Sequence, residues 1–152
     1  MSEAAQKQDG LPIGGVPADK ILLVWPKVEP LLKRVVKPNT GYALPHVLTE
    51  LQLGRMQLWV IGDFQAVVVT MIQDRPLHKV LWTQFIAGEN MDEWLSDWVA
   101  VQEDYARSMG CVAVEFCGRK GWGKVQKHHP QFKHVWTIYR CELWAEAAEP
   151  IQ

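Results

Sequence analysis

A mixed α/β (α+β) fold, one sheet of antiparallel and parallel strands with helices on both faces, is what this sequence predicts. Three observations carry that expectation. Apolar spacing changes from helical to β-type near Met56, a long helical stripe returns over residues 91–109, and the β-rich run Cys111–Cys117 follows at once. A strand–helix–strand step after an antiparallel meander puts both strand senses in one sheet. The expected element order is α-α-β-β-β-α-β-α-β.

Residues 1–18 read as an N-terminal arm, flexible or bound to a partner. Gly10, Pro12, Gly14, Gly15 and Pro17 crowd it, and no period of two or 3.6 is visible. A first helix is expected from Pro26 to Lys37, with proline at the first helical position and Val28, Leu31, Leu32, Val35 and Val36 as its stripe. A second starts at Pro45, buries Val47, Leu48 and Leu51, and stops at Gly54. Met56–Ile61 and Phe64–Gln73 follow as strands across a Gly62-Asp63 hairpin signal, and Leu77–Ala87 completes the meander. The unbroken stretch Ala66–Ile72 suggests a strand covered on both faces.

Asn90 and Glu93 have the spacing of a capping box for the long helix, whose stripe includes Met91, Trp94, Leu95, Trp98, Val99, Tyr105, Ala106 and Met109. Gly110 ends it. Residues 121–128 are expected as a short helix and Val135–Trp144 as a last strand. A single domain over 19–144 and a tail over 145–152 complete the expected organisation.

Composition excludes several classes. With 48% hydrophobic and 22% charged residues the chain is neither disordered nor fibrous, and 152 residues suit one domain. Sixteen basic against 17 acidic residues argue against a surface devoted to nucleic acid. Three cysteines without a CxxC do not build a disulfide framework or zinc ribbon, and their place in expected strands suggests inert buried thiols. No apolar run spans a bilayer and no signal-peptide pattern opens the chain, so a soluble cytoplasmic protein is expected. Eight tryptophans are the outlier; six fall on expected strands or the long helix, Trp25 at a helix entrance, and Trp122 alone in a basic glycine-rich loop.

Charge is unevenly placed. Residues 89–104 carry Glu89, Asp92, Glu93, Asp97, Glu103 and Asp104 without a basic residue. Residues 118–134 carry Arg119, Lys120, Lys124, Lys127, Lys133 and three histidines without a carboxylate. That basic segment, with Trp122 available for stacking, is a candidate surface for a phosphate, a nucleic acid or an acidic protein; Arg119, Lys120, Trp122, Lys124 and Lys127 are its candidate contacts. Gly118–Lys124 also fits G-x-x-x-x-G-K, but Val125 lacks the hydroxyl that a P-loop supplies to Mg²⁺. His128 and His129 are adjacent and have no partner at metal-ligand spacing, so no metal is expected.

In order and spacing, several phrases resemble small GNAT-fold (acetyltransferase-like) proteins encoded in tailed-phage genomes. They are Gly54-Arg55-Met56-Gln57-Leu58-Trp59-Val60, then Glu93-Trp94-Leu95 leading to Ala106-Arg107-Ser108-Met109-Gly110-Cys111. Gly118-Arg119-Lys120-Gly121-Trp122, Phe132-Lys133 and Glu142-Leu143 follow, so the resemblance covers residues 20–144. It implies acetyl-CoA in the V between the ends of Leu77–Ala87 and Cys111–Cys117. Phe85, Ile86 and Gly88 would then lie against the pantetheine, and Arg119 or Lys120 against a phosphate.

The sequence departs from the family at two places. Where the family has a [QR]-x-x-G-x-[GA] pyrophosphate loop, this chain has Ile86-Ala87-Gly88-Glu89-Asn90-Met91-Asp92-Glu93, with one glycine and three carboxylates. Such charges oppose the attraction of a helix N-terminus for phosphate. The family's general-acid tyrosine is absent, and Lys127 or His128 stands in its region. The expectation is therefore a phage GNAT-fold protein with a degenerate acetyl-CoA loop, serving as a virion, assembly or interaction component. Its partners would be capsid, portal or tail proteins met through the arm and the basic segment, in the host cytoplasm or the virion. An active acetyl-CoA-dependent N-acyltransferase and a basic-patch nucleic-acid-contacting module are the alternatives.

Overall fold

The computed structural model describes residues 10–118, 123–135 and 138–143, with the side chains of 123 and 124 left aside. The chain divides after Phe116 into two units. The first holds β1 (Ile13–Val16), α1 (Ile21–Leu32), α2 (Leu44–Gln52), β2 (Gln57–Ile61), β3 (Ala66–Asp74), β4 (Lys79–Gly88), α3 (Met91–Ser108) and β5 (Ala113–Phe116). The second holds α4 (Gly123–His128).

One five-stranded sheet, ordered β1-β2-β3-β4-β5, forms the centre of the first unit. The first four strands pair antiparallel, and β5 lies parallel to β4. The mixed sheet matches the sequence expectation. Alternation along the strands separates two apolar layers. Leu58, Val67, Val69, Phe85 and Ala87 point to one face, where Ile21, Val28 and Leu32 of α1 and Val47 and Leu51 of α2 cover them. Trp59, Ile61, Ala66 and Val68 point to the other, under Trp94 and Trp98 of α3. β3 is thus buried on both faces from Ala66 to Thr70, as its unbroken apolar run requires.

Helix α3 keeps a strict stripe: Trp94, Trp98, Gln102 and Ala106 recur every four residues and all are buried. The polar member is accommodated because Thr83 on β4 donates its hydroxyl to the Gln102 carbonyl oxygen at 3.4 Å.

Five expectations need correction. Residues 13–16, assigned to the arm, form β1 against β2, in register from Ile13 opposite Ile61 to Val16 opposite Leu58. Gly14 and Gly15 hide this strand from a side-chain pattern, because its contribution is backbone pairing. Gly15 also makes room for Trp59, whose ring would lie 3.4 Å from a Cβ there.

Helix α1 begins at Ile21, not Pro26, and ends at Leu32 with both Pro26 and Pro30 inside it. Each proline removes the N–H that would bond the carbonyl four residues back, Leu22 and Pro26 respectively. Leu22, Pro26 and Pro30 are exposed, so those carbonyls can be hydrated while Ile21, Val28 and Leu32 hold the opposite side in the core.

The β2–β3 connection runs over four residues, since Ile61 pairs with Ala66. Phe64 takes a positive φ of 57° in it and is held against the core, with Lys27 Nζ 5.1 Å from its ring centroid. The capping box at α3 does not form: Asn90 adopts a left-handed φ, ψ of 58°, 44°, its side chain makes no cap bond, and the Glu93 carboxylate accepts from Gln65 Nε2 instead.

In the second unit, residues 135 and 138–143 carry no strand, whereas Val135–Trp144 is expected as one. Val135, Ile138, Tyr139 and Leu143 are exposed there, so the apolar burial that would favour a strand is missing. Residues 136, 137 and 144 lie outside the described residues. Among the described residues no helix is long and apolar enough to cross a membrane.

Candidate functional site

The sheet opens between β4 and β5. Their parallel pairing runs from Val80 beside Ala113 to Thr83 beside Phe116 and stops there. At the same point the β3–β4 register shifts: Val69 faces Phe85 while Thr70 faces Thr83, which leaves Gln84 as a bulge on β4. The β4–β5 pairing ends where this extra residue begins. Beyond it, Phe85–Gly88 continue pairing with β3, and no strand among the described residues pairs with the outer edge of Gln84–Gly88. That edge is about 16 Å long at an ordinary strand rise. Its outward N–H and C=O groups, without a strand partner among the described residues, can bond an extended ligand as an added strand would.

Phe85 is buried on the α1/α2 face, where Tyr42 from the α1–α2 connection meets its ring edge-on at 5.7 Å. Ile86 is half-buried on the α3 face. Gly88 ends the strand at φ 140°, and a Cβ there would collide with Cβ and Cα of Ala66. Its absent side chain therefore lets β4 and β3 close on each other, a structural demand that stands apart from any ligand.

The turn into α3 is acidic. The Glu89 carbonyl accepts the Trp94 indole N–H at 2.9 Å, which fastens the turn to the buried tryptophan. The Glu89 carboxylate lies 3.7 Å from Arg34 with both side chains well exposed, so the pair is weak. Among the described residues Glu93 is met by the neutral Gln65 amide. Asp92 and Glu93 are well placed to offset the α3 dipole. The same charges work against a phosphate at that end.

Residues that sequence reasoning passed over line the floor beside the opening. Trp82 on β4 faces Met71 on β3 and lies beside Glu115 on β5, and Met71 packs on the α1/α2 side; all three are half-buried. The Trp82 indole N–H donates to the Gln84 side-chain oxygen at 2.9 Å. That bond fixes the orientation of the amide, so its NH₂ group turns away from the indole and is available as a donor. Arg75 grips both Glu115 oxygens, at 2.8 and 3.1 Å, and bonds the Gln73 oxygen at 2.7 Å. This bidentate fork ties β5 to the β3–β4 turn. It raises the Arg75 pKa above its ordinary value through the Glu115 hydrogen bond, so the guanidinium stays charged. One signal was legible: Thr83-Gln84 places two polar residues together where strict alternation allows one.

The basic segment is only partly visible. Arg119, Lys120 and Trp122 lie outside the described residues, as does the side chain of Lys124. Lys127 is exposed in the last turn of α4 beside His128. Cys111 is half-buried, and Cys117 and Cys141 are exposed, which corrects the expectation of buried thiols. Among the described residues no three His, Cys, Asp or Glu side chains converge as a metal site.

Solved structures decide the fold. No protein-family model matches the chain, and neither does any curated protein. A ribosomal-protein-alanine N-acetyltransferase from Brucella melitensis biovar Abortus 2308 superposes with TM-score 0.59 at 12% identity, covering 89% of this chain and 100% of its own. A predicted acetyltransferase from Clostridium acetobutylicum, solved with acetyl-CoA, gives 0.61 at 14% identity over 88% and 96% of the two chains. An aminoglycoside acetyltransferase from an uncultured soil metagenomic sample, solved with sisomicin, gives 0.61 at 10% identity over 87% and 96%. The fold is that of the GNAT acetyltransferases. At such identities the likeness fixes the GNAT architecture alone, and function has to be argued from the site.

Proposed function

We propose that this GNAT-fold chain is an N-acyltransferase that takes its acyl group from acetyl-CoA. The observation that carries the reading is the end of β4–β5 pairing at the Gln84 bulge, beyond which no strand among the described residues pairs with the outer edge of Gln84–Gly88. An amide-rich arm such as pantetheine suits that edge, with Phe85, Ile86 and Gly88 contributing backbone groups. Arg119 and Lys120 are the proposed phosphate contacts. In the reaction an acceptor amine attacks the thioester carbonyl, the C–N bond forms, the C–S bond breaks, and the amine's surplus proton passes to water. The Gln84 NH₂ group, held by Trp82, supplies a donor beside the opening, and the Glu115–Arg75 pair gives the floor a neutral, ordered wall.

Thermal unfolding of the full chain in acetyl-CoA tests the reading. Ligand at about one hundred times its Kd adds about 2.7 kcal/mol of stability. Thiol release with a panel of primary amines should accompany it. An unchanged transition at millimolar acetyl-CoA sinks the proposal.

The acidic turn Glu89–Glu93 favours a second reading, in which the same fold serves as an interaction component of a phage virion or its assembly. Co-purification with capsid, portal or tail proteins, without an acetyl-CoA shift, is its expected result. Retention on heparin that falls steeply with salt would instead mark the basic segment as a nucleic-acid contact.

A further inference from the structure

Strand β1 is an edge of the sheet, and among the described residues no strand pairs with its outer side. Its register decides which backbone groups face outward. The Pro12 carbonyl accepts the Gly62 N–H at 2.8 Å, so Pro12 bonds towards β2, and by alternation Gly14 and Val16 do the same. Ile13 and Gly15 therefore turn their N–H and C=O groups away from the sheet. Gly14 and Gly15 are exposed.

Apart from its shortness, this edge carries none of the devices that keep strands from pairing across molecules. Residues 10–18 hold no charge, and β1 contains neither a proline nor a bulge. Its two glycines differ in purpose. Gly15 makes room for the Trp59 ring, which stands edge-on to Trp98 at 5.5 Å. Gly14 answers no such demand: among the described residues a Cβ there would meet nothing within 4 Å, and its φ is not positive. Glycine within a strand costs stability relative to alanine, and one use that offsets the cost is the close approach of another backbone.

We infer that β1 pairs antiparallel with β1 of a second copy about a two-fold axis at Gly14, joining two sheets into one. In that register Ile13 stands opposite the second copy's Gly15, and Gly15 opposite its Ile13. Each of these pairs exchanges two N–H···O=C bonds, so every outward group of the strand is used. Gly14 meets its own counterpart at the intervening non-hydrogen-bonded pair, where Cα atoms come to about 4.5 Å. A register shifted towards Pro17 loses bonds, because Pro17 has no N–H and its carbonyl already accepts from Lys20 at 2.9 Å. This self-match of donors and acceptors is what selects a second copy over an unrelated strand. Both copies spend the same edge, so the assembly closes at two. The contact is small, and half-dimerisation belongs on the order of 100 µM.

Sedimentation equilibrium on the full chain, from about 10 µM to about 1 mM, tests the pairing. The mean mass should climb from 17.4 kDa towards twice that value. Gly14→Lys sets two ammonium groups opposite each other at the axis and should weaken the dimer at least about fivefold. The urea midpoint of the dilute variant should not fall, since the new side chain enters open space. Gly14→Glu should act alike, and an equimolar mixture of the two variants should associate as tightly as the unaltered chain. Amide exchange at Ile13 and Gly15 should slow as concentration rises, while Gly14 and Val16 stay protected throughout by β2. A constant monomer mass, a dimer indifferent to Gly14→Lys, or a mixture that stays monomeric overturns the inference. So does equal protection of Ile13 and Gly15 at every concentration, which would mean that residues 1–9 already cover the edge. Acetyl-CoA takes no part in these measurements, so they stand or fall apart from the acyltransferase reading.

Discussion

Gly88 shows how much one missing side chain can decide. A methyl group there would meet Ala66 on the neighbouring strand while the backbone holds φ 140°. Overpacking against a strand and strain at such a φ each cost on the order of 1–3 kcal/mol. Gly88→Ala should therefore lower the unfolding free energy by about 2–4 kcal/mol in urea titrations. Gly54 supplies the control, since its φ is 77° but nothing lies within 4 Å of a Cβ there. Gly54→Ala should cost about 1 kcal/mol, the backbone contribution alone. A similar loss at both positions would show that the approach to Ala66 is unimportant. The sequence offered Gly88 as a ligand-loop glycine, because a lone glycine between a strand and a helix looks the same for either purpose. Only the cross-strand neighbour tells them apart.

Among the elements, α3 and α1 were legible to opposite degrees. Trp94, Trp98, Gln102 and Ala106 sit four apart on a helix free of proline, so spacing alone located α3. In α1 two signals competed: the run from Ile21 to Trp25 asked for inclusion, and Pro26 looked like a first helical residue. Burial of Ile21 in the α1/α2 layer decided the matter. The helix thus keeps a local penalty that its packing offsets. Pro30→Ala should restore a hydrogen bond to the Pro26 carbonyl and raise stability by about 1–3 kcal/mol, seen as a shifted urea midpoint at constant slope. Unchanged or reduced stability would mean that the prolines stiffen the unfolded chain enough to justify themselves. Strand β1 was illegible for a different reason, since Gly14 and Gly15 offer no side chains to alternate. An opening between β4 and β5 was implied by the GNAT resemblance alone, and Gln84 and its bond to Trp82 were not foreseen. A bulge is a difference in register between two strands, and one strand's sequence does not contain it.

At the scale of the molecule, alkaline pH is the informative variable. Burial raises the pKa of Tyr105, with a smaller contribution from Cys111, and burial raises that of Cys111 against a smaller opposing pull from Lys79. Both groups hold their protons more tightly folded than unfolded. Once pH passes the ordinary values of 9.0 for the thiol and 10.0 for the phenol, the unfolded chain has released more protons. Their stabilisation is complete below pH 9.0 and declines as pH rises further. Melting temperatures from pH 7 to about 11 should fall at the upper end, and Cys111→Ser with Tyr105→Phe should flatten the fall. A fall of equal size in the double variant would assign it to other groups.

The edge-on contact of Trp59 with Trp98, at 5.5 Å, joins β2 to α3 across the interior. Two indoles so close share their electronic excitation, and a fixed mutual tilt of 63° gives that shared transition a handedness. The molecule therefore carries a built-in optical gauge. A split near-ultraviolet circular dichroism band should report the seating of α3 on the sheet, and its disappearance should mark the moment that helix lifts away, even while the strands beneath remain paired.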